Sequence, residues 1–295
     1  MFCETLVIIG VGLIGGSIGL ASRRRGLARR VVGVVRRAES VVDLVQRGIV
    51  HEATTNLPEA VQEAQLVVVC TTVDTISRYV LDAASHAPVE AILTDAGSTK
   101  GQIVAEVESG WGRVSRAARE GPAETRNSCR FVGSHPLAGS EKSGYTYAHA
   151  DLFVNRWVLV TPTGQTCAEA TERVAEFWQA LGGRVQFMSP EDHDRALALV
   201  SHLPHLLASA LAGILPGKWA DLAASGFRDT TRIAASLPEI WAPIFLHNRH
   251  AVLEALQQLE SRLEEFRQAL QVEDREKLSA LLAEGKARRD SLTGG

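Results

Sequence analysis

The 295-residue sequence is poor in cysteine, and its cysteines show no spacing typical of a metal site or a disulfide framework. The four of them, Cys3, Cys70, Cys129 and Cys167, lie far apart along the chain. Cys70 ends an apolar run, which is typical of a buried thiol. Because no disulfide framework is implied, we expect a reducing compartment and predict a cytoplasmic protein that binds no metal.

The sequence also lacks a strong charge of either sign, and we expect no leader segment at its start. Its formal net charge is −3 at pH 7 and 22% of its residues are charged, so composition gives no sign of a nucleic-acid partner. The apolar stretch Leu6–Ala21 contains five glycines and follows Glu4 rather than basic residues, unlike a signal peptide or a membrane span. We therefore expect neither a nucleic-acid nor a membrane partner.

Short apolar runs alternate with amphipathic stretches over residues 1–189, and this alternation predicts a doubly wound α/β domain. Each run is continuously apolar, as in strands buried on both faces of a mostly parallel sheet. The predicted strands are Leu6–Ile9, Val31–Val35, Leu66–Cys70, Ala91–Thr94, Arg130–Val132, Trp157–Val160 and Arg184–Phe187. No strand is predicted in residues 190–295, which we expect to form a second, all-helical domain beginning at Pro190.

A glycine motif follows the first predicted strand and opens the first predicted helix. The residues Gly10, Gly12, Leu13, Ile14 and Gly15 give the pattern G-x-G-x-x-G in its required strand-to-helix context. Glycines allow the tight turn and the close approach of the backbone, and the helix N-terminus faces a pyrophosphate. The motif therefore predicts a Rossmann-type dinucleotide site.

The end of the second predicted strand bears on which dinucleotide is bound. An acid there would bond the ribose hydroxyls of NAD, but this sequence has Val35 followed by Arg36 and Arg37. Two guanidinium groups suit a 2′-phosphate, so we predict NADP in preference to NAD. The alternative is that both arginines are merely solvated and Glu39 serves the ribose. Thr71 is also predicted to be a cofactor contact.

One histidine stands in a loop rich in glycine and serine, over residues 133–144. Such a loop contributes little packing, so His135 is predicted to act on a ligand. A histidine can accept the proton of an alcohol while a nicotinamide takes the hydride. Ser98 follows the fourth predicted strand, at the edge where ligands bind, and could bond a substrate hydroxyl or cap the next helix.

Two polar groups in the helical part are candidates for substrate contact. His202 and His205 flank Pro204, which should kink its helix, and they lie three residues apart on one face. No third ligand at useful spacing supports a metal site there. Arg232 is the natural clamp for a carboxylate, and Trp241 supplies an aromatic face nearby.

The last long helix is predicted to begin near Leu237, and it carries an apolar stripe with heptad-like spacing. Such a stripe suits an internal core helix or a helix at a dimer interface. Its members are Phe245, Val252, Leu256, Leu259, Leu263, Phe266 and Leu270.

Five motifs in order, over residues 10–16, 95–100, 133–144, 201–205 and 226–232, together with Trp241, resemble those of the prephenate/arogenate dehydrogenase family of tyrosine biosynthesis. The resemblance spans nearly the whole chain. It implies an N-terminal Rossmann domain, a C-terminal helical dimerisation domain and an active site between them. It also implies a homodimer that carries out oxidative decarboxylation of a cyclohexadienol, and of the two family substrates we choose prephenate, which gives 4-hydroxyphenylpyruvate.

The family's site residues can be placed on this chain one by one. His135 matches the catalytic histidine and Ser98 the serine that bonds the ring hydroxyl. His205 matches a substrate-site histidine, with His202 as its neighbour. Arg232 matches the arginine that recognises a substrate carboxylate, and Trp241 matches an aromatic residue near the pocket.

Several alternatives stay open at this point. Arogenate is the alternative substrate, and its ammonium would be favoured by a nearby acid such as Glu141 or Asp229. More distant alternatives are a β-hydroxyacid dehydrogenase, which would use a lysine such as Lys218, and a non-catalytic dinucleotide sensor. Some family members carry a regulatory domain or a fused mutase, and the length of this chain leads us to expect neither.

Overall fold

The computed structural model describes residues 1–115, 119–120, 129–139 and 142–292. Eight strands form one sheet in the order β3-β2-β1-β4-β5-β6-β7-β8. All neighbouring strands are parallel except β6 and β7, which are antiparallel. The strands are β1 Cys3–Ile9, β2 Ala28–Val34, β3 Glu52–Thr54, β4 Leu66–Val69, β5 Ile92–Asp95, β6 Phe131–Pro136, β7 Trp157–Thr161 and β8 Arg184–Phe187. The predicted doubly wound α/β fold is confirmed.

The central strands are buried on both faces, which explains why they are continuously apolar. Leu6, Val7 and Ile8 of β1 and the whole of β4 are almost without exposed surface. Alternate side chains of these strands enter two separate apolar clusters, so Val7 belongs to one and Ile8 to the other. Helices cover each face of the sheet. In an open α/β sheet of this kind, ligands bind at the edge formed by the carboxyl ends of the parallel strands.

The short strand β3 was not predicted from the sequence. It has three residues, Glu52–Thr54, and its side chains are exposed or half-buried. It lies at the edge of the sheet, where it pairs only with β2. An edge strand of this length buries too little to leave an apolar run in the sequence.

Twelve α-helices occur in the described residues. They are α1 Leu13–Arg24, α2 Glu39–Gln46, α3 Leu57–Ala60, α4 Val73–His86, α5 Gly101–Val114, α6 Ala168–Ala180, α7 Pro190–Leu197, α8 Leu203–Gly213, α9 Ser225–Thr231, α10 Pro238–His247, α11 Arg249–Gln271 and α12 Arg275–Ser291. The Ser189 hydroxyl caps α7 by accepting from the backbone N–H of Asp192 at 3.0 Å. The described residues after Ser189 form no strand, which confirms the predicted helical character.

The prediction of one long final helix from Leu237 is wrong, because the chain forms two helices that meet at Asn248. Asn248 has φ −105° and ψ 27°, and its side chain is buried. Its amide group donates to the carbonyl oxygen of Asp194 at 2.7 Å and lies 3.1 Å from Nδ1 of His202. These contacts outweigh the helical propensity of the flanking residues, and heptad spacing alone does not reveal them.

Contacts between backbone positions divide the chain into Met1–Asn248 and Arg249–Gly295. Within the second unit, Arg262 pairs with Glu284, and Lys277 lies 3.4 Å from Glu265. The domain boundary that we place at residue 189 from the sequence stays a prediction.

The helical stretch Pro190–Gly213 is long and apolar enough, with a mean hydropathy of 1.4, to meet the length and composition of a membrane span. It nevertheless carries His193, Asp194, His202 and His205, and all four are buried within the protein. The polar side chains of this stretch are therefore packed inside the protein.

Candidate active site

The glycine turn between β1 and α1 has the shape that a dinucleotide requires. Gly10 has φ +90°, and a Cβ there would lie 2.8 Å from the carbonyl oxygen of Cys70. A Cβ on Gly15 would lie 2.2 Å from the carbonyl oxygen of Gly10, so both positions demand glycine. Gly12 has open space where its Cβ would be, and it precedes α1 with no side-chain cap. The turn thus fits a pyrophosphate on the helix N-terminus.

Beside this turn lies one cavity of about 870 Å³, which brings most of the predicted site residues together. The predicted residues that line it are Gly12, Leu13, Ile14, Thr71, Ser98, His135, His205, Arg232 and Trp241. Gly10 and Gly15 support the turn without lining the cavity, and His202 lies outside its lining. The predicted cofactor and substrate residues therefore share one space.

Arg36 and Arg37 lie outside this cavity, on the exposed segment between β2 and α2. Neither forms an ion pair with any residue that the structure describes. Glu39, the alternative ribose contact, is the first residue of α2 and is exposed as well. All three are accessible to a ligand.

The strand β6 that carries His135 is held by a buried hydrogen-bond network. The carboxylate of Asp95 accepts from the backbone N–H of Ser134 at 3.0 Å. The Ser134 hydroxyl lies 2.8 Å from that of Thr94 and accepts from Nε1 of Trp178 at 2.9 Å. This network fixes the backbone next to His135, so its ring has a defined place at the cavity wall.

A second pair of buried polar residues supports the same region. Lys100 is fully buried, and its ammonium group pairs with Asp95, which is fully buried too. Asp95 also accepts from the backbone N–H of Gly97 at 2.8 Å. Sequence reasoning treated residues 95–100 as the setting of Ser98 and missed this ion pair, because a lysine after a Gly-Ser-Thr run looks like an ordinary loop residue.

His135 has a hydrogen-bonding partner that the sequence did not indicate. Its Nδ1 lies 2.9 Å from Nε2 of His193, and Nδ1 of His193 lies 2.8 Å from Oδ1 of Asp194. His193 is fully buried, and His135 is 8% exposed. His193 and Asp194 directly follow Glu191 and Asp192, the acids expected in the first turn of α7, so no local signal marked them.

Burial keeps the base candidate neutral. Burial lowers the pKa of His135 well below its usual 6.5, and His193, Lys100 and His202 lower it further. A neutral imidazole has one unprotonated nitrogen and can accept a proton. The geometry therefore provides a proton acceptor at the cavity wall.

His202 is buried and does not line the cavity, but it contacts residues of two neighbouring segments. Burial lowers the pKa of His202 to about 4, although the carboxylate of Asp194 and a hydrogen bond to the Ser98 backbone oppose this shift. Its Nδ1 contacts the Asn248 side chain. His202 thus ties together the loop of Ser98 and the end of α10. The kink predicted at Pro204 is a π-helical turn, Ala198–His202, directly before α8.

His205 and Trp241 form a stacked aromatic wall. Their ring centroids are 3.6 Å apart and their planes differ by 8°. Nδ1 of His205 is buried and has no hydrogen-bond partner in the described structure. Burial lowers the pKa of His205, so the ring is neutral at neutral pH. The pair gives the cavity a flat face that suits a ring-shaped ligand.

The charged residues that line the cavity are all cationic in the part of the chain that the structure describes. They are Lys142, Arg156 and Arg232. Asp229 is exposed and does not line the cavity, and Glu141 lies outside the described residues. Within the described residues, no cluster of three or more metal-ligating side chains was found. The cavity therefore suits an anionic organic ligand.

Family models match two consecutive parts of the chain. Residues 18–187 match the nucleotide-binding domain of prephenate dehydrogenase, a range that begins just after the glycine turn. Residues 189–284 match the dimerization domain of prephenate dehydrogenase.

Similar proteins match over nearly the whole chain. A prephenate dehydrogenase of Bacillus subtilis is 31% identical over 98% of this chain and 76% of its own length. A cyclohexadienyl dehydrogenase of Zymomonas mobilis is 32% identical over 97% of this chain and 95% of its own length.

Solved structures agree with these matches. The prephenate dehydrogenase of A. aeolicus, in complex with hydroxyphenyl propionate and NAD⁺, superposes with a TM-score of 0.87 at 32% identity, covering 98% of both chains. The arogenate dehydrogenase of Synechocystis superposes with a TM-score of 0.79 at 30% identity, covering 98% of this chain and 100% of its own.

Proposed function

The chain belongs to the prephenate dehydrogenase family, and on this premise we propose that it converts prephenate to 4-hydroxyphenylpyruvate by oxidative decarboxylation. The observation that carries this proposal is the cavity whose lining includes His135, Ser98, residues of the glycine turn and the stacked rings of His205 and Trp241. A bound nicotinamide dinucleotide would accept the hydride there.

Residues of the chain carry out proton transfer and bind and orient the substrate. Neutral His135 accepts the proton of the ring hydroxyl, and Ser98, which lines the same cavity, supplies a hydroxyl to orient it. Arg232 binds a substrate carboxylate, and the faces of His205 and Trp241 hold the ring. Loss of carbon dioxide makes the ring aromatic, so the protein needs to supply orientation, a base and a clamp for negative charge.

We infer prephenate rather than arogenate from the charge of the described lining. Prephenate carries two carboxylates and a keto group, whereas arogenate carries an ammonium in place of the keto group. Lys142, Arg156 and Arg232 attract carboxylates, and no described lining residue is an acid that would attract an ammonium. The likeness to the Synechocystis arogenate dehydrogenase supports arogenate as the second candidate.

NADP is proposed as the preferred cofactor. Its support is the exposed pair Arg36 and Arg37 after β2, where an acid would be needed to bond the ribose of NAD. The A. aeolicus relative binds NAD⁺ in its crystal structure, so the two dinucleotides must be compared directly on this chain.

A homodimer formed through the C-terminal helices is proposed as the working state. This proposal is supported by the match to a dimerization domain and by apolar side chains left exposed in the single chain. Leu199 and Ile214 are 49% and 76% exposed, and Leu263 and Leu270 of the predicted stripe are 53% and 63% exposed. Light scattering on the purified protein in solution should give twice the mass of the chain, and a monomeric mass would contradict the proposal.

Product analysis tests the reaction itself. Purified protein given prephenate and NADP should release carbon dioxide, 4-hydroxyphenylpyruvate and reduced cofactor in equal amounts. His135→Asn should abolish all three while the cofactor still binds. Cofactor binding without turnover of prephenate or arogenate by the unaltered protein would favour a sensor. A β-hydroxyacid dehydrogenase is disfavoured, because Lys218 is exposed and does not line the cavity.

A further inference from the structure

Three buried side chains, His135, His193 and Asp194, are joined in one line that ends at the cavity. The two distances between them are 2.9 Å and 2.8 Å, and the two imidazole planes are tilted by 58° with centroids 5.1 Å apart. The imidazoles therefore meet nitrogen to nitrogen rather than face to face. Hydrogen bonds of this length between buried groups have defined directions, which the protonation states decide.

Asp194, the residue of the three farthest from the cavity, determines which atom donates in its hydrogen bond with His193. Its Oδ1 accepts from the backbone N–H of Lys100 and its Oδ2 from that of Gly101, each at 2.8 Å. Burial raises the pKa of Asp194, but the hydrogen bonds from His193 and from these two N–H groups outweigh burial and hold it below its usual 3.8. The carboxylate is therefore ionised and only accepts, so Nδ1 of His193 carries a proton.

The protonation of His193 determines the direction of its hydrogen bond with His135. Burial and the Lys100 ammonium lower the pKa of His193, whereas Asp194 and Asp95 oppose them; the net shift is downward, so the imidazole is neutral at neutral pH. With its one proton on Nδ1, its Nε2 accepts, and the donor must be Nδ1–H of His135. Nε2 of His135 then has a lone pair. It is the nitrogen that is left for the cavity, which His135 lines.

We propose that His193 and Asp194 are positioning residues that hold His135 in the tautomer with Nδ1 protonated and Nε2 ready to accept the substrate proton. This inference rests on the proposed function for its catalytic consequence. When the substrate O–H bond breaks and an N–H bond forms at Nε2, His135 becomes positively charged. Its Nδ1 proton can then move to Nε2 of His193, which places the charge 2.8 Å from Asp194.

Titratable groups on other elements face His135 and His193 and shift the pKa values of these two histidines. Lys100 and Asp95 face it from the β5–α5 segment, and His202 from the turn before α8. Lys100 disfavours a positive charge on His135 before the substrate binds, while Asp194 favours it on His193. The arrangement keeps the base neutral at rest and provides a counter-charge after proton transfer.

Two substitutions at His193 separate positioning from packing. His193→Gln offers an amide oxygen that can accept from Nδ1–H of His135 and an amide N–H that can donate to Asp194. His193→Phe keeps an aromatic ring but loses both hydrogen bonds. We expect His193→Phe to lower kcat by about 100-fold or more with KM little changed, and His193→Gln to lower it by less than about 10-fold. His86→Phe, on the exposed end of α4, is the matched control.

A second readout needs no turnover. In full-length protein with ¹⁵N-labelled histidine and bound dinucleotide, NMR should show His135 with hydrogen on Nδ1 and a bare Nε2, and His193→Phe should lose this preference. Hydrogen on Nε2 of His135 in the unaltered protein would overturn the proposal. So would equal activity of both variants and wild type, or equal losses with the tautomer unchanged. Because the NMR result is independent of substrate, it stands even if prephenate and arogenate are not turned over.

Discussion

The buried ion pair between Lys100 and Asp95 predicts a large and specific loss of stability. Lys100→Met keeps the length and much of the shape of the side chain but leaves the fully buried Asp95 carboxylate without its cation. Among the described residues, that carboxylate would retain the N–H groups of Gly97 and Ser134 as its hydrogen-bond donors. Removing one partner of a buried pair costs about 3–5 kcal/mol. For a protein of this size, that corresponds to a drop of about 10 °C in the midpoint of thermal unfolding.

Thermal unfolding of three variants tests this reasoning. Arg47→Met removes a surface ion pair with Asp43 at 2.8 Å and should lower the midpoint by about 1 °C or less. The double variant Lys100→Met/Asp95→Asn removes both buried charges and should recover most of the loss. If Lys100→Met unfolds no earlier than Arg47→Met, or the double variant is no better than the single one, an uncompensated buried charge is not the cause.

Two further predictions concern the cofactor and pH. Replacing both Arg36 and Arg37 by Ala should lower kcat/KM for NADP by about 10-fold or more, since a charge-assisted hydrogen bond contributes about 1.5–3 kcal/mol, and should leave NAD almost unaffected. Arg29→Ala, at the opposite end of β2, is the control, and an equal loss with both dinucleotides would contradict the assignment. Because the pKa of His202 is about 4 in the folded protein against 6.5 unfolded, the unfolded state binds more protons below pH 6.5. The free energy of unfolding should therefore fall as pH is lowered from 7 to 5, by about 2 kcal/mol from this group. In urea titrations His202→Gln should show a correspondingly smaller fall, and an unchanged pH dependence would refute the cause.

Much of the fold was predictable because its signals are local. The apolar runs of β1 and β4 are buried on both faces, and the glycine turn needs a positive φ at Gly10 and no Cβ at Gly15. Each requirement leaves a mark in consecutive residues. The loop predicted around His135 is wrong, because the residue lies near the end of strand β6 and is buried, and the glycine and serine content of residues 133–144 does not show where that strand ends.

What could not be predicted depends on partners far away in sequence. Asp194 looks like an acid that serves the N-terminus of its own helix α7, yet its carboxylate accepts from Lys100 and Gly101 at the start of α5. The role of His193 likewise depends on its hydrogen bond with His135, which lies 58 residues earlier. The break at Asn248 is fixed by hydrogen bonds to the Asp194 carbonyl and the His202 region, which no heptad pattern reveals.

The most direct test of the central claim is turnover of the purified protein with prephenate and with arogenate, each in the presence of NADP and of NAD. The cationic lining and the exposed Arg36–Arg37 pair predict the highest kcat/KM for prephenate with NADP. Reduced cofactor should appear together with 4-hydroxyphenylpyruvate. Turnover of arogenate alone would contradict the substrate assignment, and no turnover in any of the four combinations, with cofactor bound, would contradict the function itself.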